Sequence, residues 1–90
     1  MILLNLRYVG HISAATGLLK EAYQTNAPTL VELIEELEKR HPGFKGIFVN
    51  SETGRMNLNA MIYCGEEGEV PLPITDLHHP IRGNAMITFW

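Results

Sequence analysis

The first residues alternate between apolar and polar. Ile2, Leu4, Leu6 and Tyr8 recur with period two, and Asn5 and Arg7 fall on the opposite face. Successive side chains of a strand point to opposite sides, so this pattern predicts a strand with one face in a core. Gly10 ends it, and residues 11–17 read as a flexible run. Residues 18–25 predict a second strand, with Leu19, Glu21 and Tyr23 alternating against Leu18, Lys20 and Ala22. The alternation is weak there, which suits an edge strand partly exposed to water.

The period then changes to that of a helix. Leu30, Leu33, Ile34 and Leu37 stand at i, i+3, i+4 and i+7 and make one apolar stripe. Thr29 and Glu32 have the spacing of a capping box at its start. Glu35 with Lys39, and Glu36 with Arg40, are i, i+4 pairs expected on the solvent side. Pro42 and Gly43 stop the helix just after His41.

Phe44, Ile47, Phe48 and Val49 form a short apolar segment, either a turn of helix or an extended lead into the sheet. Residues 50–55 form a polar loop, and residues 58–64 predict a third strand ended by a Gly65-Glu66-Glu67-Gly68 turn. Residues 70–74 contain Pro71 and Pro73, which removes them from any central strand position. Arg82-Gly83-Asn84 predicts a turn, and residues 85–90 a final apolar strand. The first and last strands are the most apolar, so they are expected side by side in the middle of the sheet. One helix stripe over one face of a mixed sheet is the smallest arrangement that buries these runs, an α+β fold in one domain spanning residues 1–90.

Composition narrows the function more than the fold. With 90 residues the chain can bury one core but not two. Seven basic against ten acidic residues give a net charge of −3 and no basic face, so nucleic acid is not an expected partner. A single cysteine, Cys64, allows no intrachain disulfide, and this fits a reducing, cytoplasmic setting. No stretch approaches the roughly 20 apolar residues that a membrane-spanning helix needs.

Candidate chemistry is sparse. His78 and His79 are adjacent and point apart, His41 sits at a helix end, and His11 has no acidic or thiol neighbour at ligand spacing, so no metal is expected. Cys64 has no accompanying base signature and reads as a small apolar residue, not a nucleophile. Residues 65–68 lack the lysine and following helix of a phosphate loop, and Glu66, Glu67 and Glu69 read as a solvated turn. No catalytic residue and no cofactor are expected.

In this order of elements, three segments resemble the MoaD/ThiS group of sulfur carriers. Ala27-Pro28-Thr29-Leu30-Val31-Glu32-Leu33 is similar to the group's "x-x-T-V-x-x-L" helix start. Met61-Ile62-Tyr63-Cys64-Gly65-Glu66 is similar to its "I-x-V-N-G-E" strand and turn, with Cys64 where asparagine is usual. Ile81-Arg82-Gly83-Asn84-Ala85-Met86 is similar to "L-x-x-G-D-x-V", with Asn84 for aspartate and Arg82 near a commonly acidic position. The resemblance implies a ubiquitin-like β-grasp, a mixed four- to five-stranded sheet packed on one helix. It also implies protein partners, an adenylating enzyme or the large subunit of a synthase. Carriers of this group end in a mobile Gly-Gly tail whose carboxylate is adenylated and converted to a thiocarboxylate, whereas the sequence given stops at Trp90. The expectation is therefore a non-catalytic, tail-less relative that binds partners or itself. The alternative is a genuine carrier for molybdopterin, thiamine or tRNA thiolation whose tail is absent from this sequence.

One pattern exceeds what a core needs. Leu3 stands beside Leu4, Met61 and Tyr63 beside Ile62 and Cys64, and Phe89 beside Trp90. A sheet with one helix layer buries one face only. Met61, Tyr63, Phe89 and Trp90 are therefore the candidate partner-binding residues.

Overall fold

The computed structural model describes residues 1–66 and 68–90. It contains β1 (Ile2–Tyr8), α1 (His11–Thr16), β2 (Lys20–Thr25), α2 (Leu30–Arg40), α3 (Phe44–Phe48), β3 (Ile62–Glu66), β4 (Leu72–Ile74) and β5 (Ala85–Phe89). The five strands form one sheet in the order β2-β1-β5-β3-β4. β1 and β5 lie parallel at its centre, as the apolar runs predict, and the other pairings are antiparallel. The two-proline segment contributes only the three-residue edge strand β4.

The core lies between one face of this sheet and α2. Leu4, Leu6 and Tyr8 of β1 and Ile87 and Phe89 of β5 are buried, as is the whole predicted stripe Leu30, Leu33, Ile34 and Leu37. α3 closes one end with Phe44 and Phe48, whose rings stand 5.1 and 5.2 Å from that of Phe89. Tyr8 stacks on Phe89 at 5.9 Å. Offset and edge-on aromatic pairs of this kind add to the burial itself.

Several local expectations are corrected. Residues 11–16 are a short helix, not a flexible run. Nothing but Ile12 is buried along α1, and its N-cap is Gly10 at φ 61°, without a side-chain cap. So short a helix shows no readable periodicity and is held by Ile12 in the core. The expected capping box does not form: the Thr29 hydroxyl donates to the Glu32 carboxylate. The first free N–H groups of α2 instead go to carbonyls of the loop after β4, Leu30 N–H to His79 at 2.9 Å and Val31 N–H to Leu77 at 2.8 Å. These bonds satisfy the helix start and anchor the 77–80 loop together.

The surface pairs on α2 are also redirected. Glu36 accepts hydrogen bonds from Tyr23 (3.0 Å) and Thr25 (2.8 Å) of β2. Arg40 pairs with Glu21 at 3.2 Å, and Glu35 with Lys45 at 3.4 Å. Partners fixed by the fold displace weak helical neighbours. The third strand begins at Ile62, four residues after its expected start, and continues to Glu66. Leu58 is fully exposed in the turn before it. Glu67, in the expected 65–68 turn, lies outside the described residues.

Asn84 holds the tight turn into β5 at φ 63°, a conformation asparagine tolerates better than most side chains, and its N–H reaches the Leu3 carbonyl at 2.8 Å. That bond sets the register in which β5 slots beside β1.

Candidate functional site

The sheet has a second face that no helix among the described residues covers. Strand alternation places Leu3, Asn5 and Arg7 of β1 and Lys20, Ala22 and Gln24 of β2 on it, all exposed. Met86 and Thr88 of β5 and Tyr63 of β3 stand on the same face, half-buried. The registers align these positions in rows across the strands. In one row Lys20 faces Arg7, Arg7 faces Thr88, Thr88 faces Tyr63 and Tyr63 faces Pro73, so all five strands contribute.

Three of the four candidate residues meet at one end of this face. The Trp90 N–H bonds to the Met61 carbonyl at 2.8 Å, extending the β3–β5 pairing by one residue. The Tyr63 hydroxyl lies 3.9 Å from the Met61 sulfur. Met61 is 45% and Trp90 48% exposed, high values for side chains that gain by leaving water. Phe89 is the exception and is corrected: at 0% exposure it points to the opposite face, into the aromatic cluster. One residue along a strand reverses the side, so the adjacent Phe89 and Trp90 belong to different surfaces.

Met61 and Tyr63 also line a cleft of about 790 Å³ between the 53–61 segment and residues 73–78. Met56, Leu58 and Ile74 add apolar lining, and Arg55 and Asp76 stand at its polar parts. The flat patch and the cleft form one continuous surface. Sequence reasoning did not find the cleft, because its walls are loops that only the fold brings together.

Cys64 points to the core side of β3, and burial pushes its thiol up, away from the nucleophilic thiolate. Among the described residues, no group of three or more His, Cys, Asp or Glu side chains is placed to hold a metal ion.

The ionisable cluster of the molecule lies elsewhere, between β2 and the end of α2. There the Tyr8 hydroxyl donates to Glu21 at 2.6 Å, and the Arg40 guanidinium lies 5.2 Å from the centre of the Tyr23 ring. His41, at the helix end, turns its ring toward Tyr8, with Nε2 3.6 Å from Glu21 and no hydrogen-bond partner among the described residues. Burial, with the bond to Glu21, raises the Tyr8 phenol far above its ordinary range, and burial with the bond to Glu36 raises Tyr23. These groups fasten the edge strand to the helix.

A five-stranded mixed sheet with parallel central strands, a principal helix on one face and the other face open defines the class as a ubiquitin-like β-grasp. Comparison with solved structures agrees. The Haloferax volcanii small archaeal modifier protein 1 superposes with a TM-score of 0.71 at 11% identity, over 99% of this chain and 95% of that one. The putative molybdopterin converting factor subunit 1 of Pyrococcus furiosus gives 0.69 at 16% identity, over 99% and 95%. A chain of the Amycolatopsis orientalis BexX/CysO complex gives 0.73 at 18% identity, over 97% and 92%. The fold is thus that of the MoaD/ThiS-type proteins the sequence resembles. No protein-family model matches the chain, and no curated protein matches it in sequence.

Proposed function

We propose that this chain acts as a single, non-catalytic ubiquitin-like domain that docks a partner protein on the open face of its sheet, around Met61, Tyr63 and Trp90. The observation that carries this reading is the uncovered aromatic and thioether surface at the β3–β5 end, continuous with the cleft beside it. Aromatic and methionine side chains are enriched where protein surfaces meet. The related fold in the BexX/CysO complex comes from a two-protein assembly, which supports the same use here. The resemblance to the MoaD/ThiS group suggests a cytoplasmic partner such as an adenylating enzyme or a synthase large subunit.

The test is photocrosslinking in the cells that make the protein. A photoreactive phenylalanine analogue replaces Met61 in one version and Glu35, on the exposed side of α2, in another. A discrete protein adduct from position 61 and none from position 35 is the expected result. Equal adducts, or adducts from position 35 alone, would contradict it.

A second reading is favoured by the likeness to a putative molybdopterin converting factor subunit. In it the chain is a sulfur carrier whose Gly-Gly tail follows Trp90 in the natural protein. The intact mass of the natural protein decides between them. A Gly-Gly terminus heavier by the difference between sulfur and oxygen supports the carrier; a chain ending at Trp90 refutes it.

A further inference from the structure

The open face is also where the charge of the molecule divides. The chain holds ten acidic residues, yet among the described residues none of the outward-facing strand positions on this face carries a carboxylate. The charges these positions do carry are both positive, Arg7 and Lys20, and they are direct partners across β1 and β2. Like charges placed opposite one another on a sheet weaken the pairing. Among the described residues, neither has a carboxylate within ion-pair distance to offset this. An acidic residue at either position would serve the sheet better. The pair therefore costs the fold something and gives it nothing.

The register links the pair to the apolar end of the face. Arg7, Thr88 and Tyr63 are consecutive in one row, with Lys20 one strand further out. Strands are spaced about 4.8 Å apart, so Arg7 and Lys20 stand roughly 10 and 14 Å from Tyr63. Two cations at one end and an aromatic–methionine cluster at the other make a surface with a direction.

Resting on the docking role proposed above, we infer that the partner is an acidic protein segment with two features at a fixed separation. An apolar anchor meets Tyr63, Met61 and Trp90, and carboxylates roughly 10–14 Å away meet Arg7 and Lys20. A polyanion fits poorly, because a chain of net charge −3 with two cations on this face would release few counterions. A second copy meeting face to face also fits poorly. Among the described residues, the outward strand positions of neither copy supply a carboxylate, so the cations would meet each other or be desolvated unpaired.

The test uses two synthetic helical peptides that differ only in charge. Each has a Trp-Leu anchor, with two glutamates or two lysines about seven residues along, which is about 10 Å on a helix. Each is titrated into the isotopically labelled protein and followed by amide NMR shifts. The glutamate peptide should move the amides of Arg7, Lys20, Tyr63 and Met61 and bind about tenfold tighter than the lysine peptide at low salt, a margin that shrinks as salt is added. The Arg7→Glu/Lys20→Glu double variant should invert the preference. Arg7→Glu alone should abolish it without lowering the melting temperature, because a glutamate there faces Lys20 favourably. Equal binding of both peptides at this face overturns the charge inference and leaves the docking role standing. Binding of neither, or shifts confined to α2, overturns both. Concentration-dependent self-association of the free protein in sedimentation overturns the assignment to a foreign partner.

Discussion

The two faces of this sheet are made by the same strands, one residue out of step, and they obey different rules. On the covered face, Leu4, Leu6, Ile87 and Phe89 join one core with the α2 stripe and are lost to water. On the open face, their chain neighbours Leu3, Met86 and Trp90 are apolar too, but no helix among the described residues covers them, and Leu3 and Trp90 stay exposed. Apolarity on the first face is explained by folding. On the second it is not, and there it coincides with a like-charge pair that opposes folding. With the docking role proposed above, stability and recognition are separated by the pleat of a single sheet, and variants of adjacent residues should tell them apart.

Phe89→Ala should have the largest effect. It removes the ring that joins Tyr8, Phe44 and Phe48 and is expected to cost about 3–5 kcal/mol in urea unfolding, whereas Trp90→Ala next to it should cost less than about 1 kcal/mol. Comparable losses from the two would erase the distinction between the faces. Leu33→Ala and Ile34→Ala on α2 should each cost about 2–5 kcal/mol. A loss below about 0.5 kcal/mol at both would mean that the stripe is not core.

Tyr8→Phe should cost less, about 1.5–3 kcal/mol, by removing a hydrogen bond to a carboxylate. The same region sets the alkaline limit. Tyr8 and Tyr23 keep their protons more tightly in the folded state than in the unfolded chain, where a phenol ionises near pH 10. Stability from these groups is therefore complete below about pH 10 and is lost as pH rises beyond it. The Tyr8→Phe/Tyr23→Phe variant should be less stable at neutral pH but lose less on going to pH 11, as followed by circular dichroism. An equal alkaline loss in parent and variant would place the sensitive groups elsewhere. The smallest effect is expected from Arg7→Glu, within about 0.5 kcal/mol of the parent and on the stabilising side.

Elements with enough residues to show a period were legible in the sequence. β1 and the α2 stripe came through because seven and eleven residues display alternation and helical spacing. The central β1–β5 pairing followed from their apolarity. α1 was not legible, since six residues with one buried side chain carry no pattern. Partners distant in sequence were equally hidden. The carbonyls of Leu77 and His79 take the Val31 and Leu30 N–H groups at the helix start, Glu21 takes the Arg40 that local pairing had given to Glu36, and Glu36 accepts from Tyr23. At the candidate site, the placement of Met61, Tyr63 and Trp90 outside the core was legible from their excess over what a core requires. Phe89 was misplaced because the count of apolar neighbours was right but its parity was not applied. Arg7 and Lys20 were visible individually; their opposition emerged only with the register.

The central claim is that the open face binds while the covered face folds. The most direct measurement combines the photoreactive group at position 61 with Trp90→Ala, reading adduct yield and melting temperature on the same protein. The account predicts an adduct yield reduced about tenfold or more, as for loss of an aromatic interface anchor, with the melting temperature almost unchanged. An undiminished adduct, or one that disappears only because the protein unfolds, would contradict it.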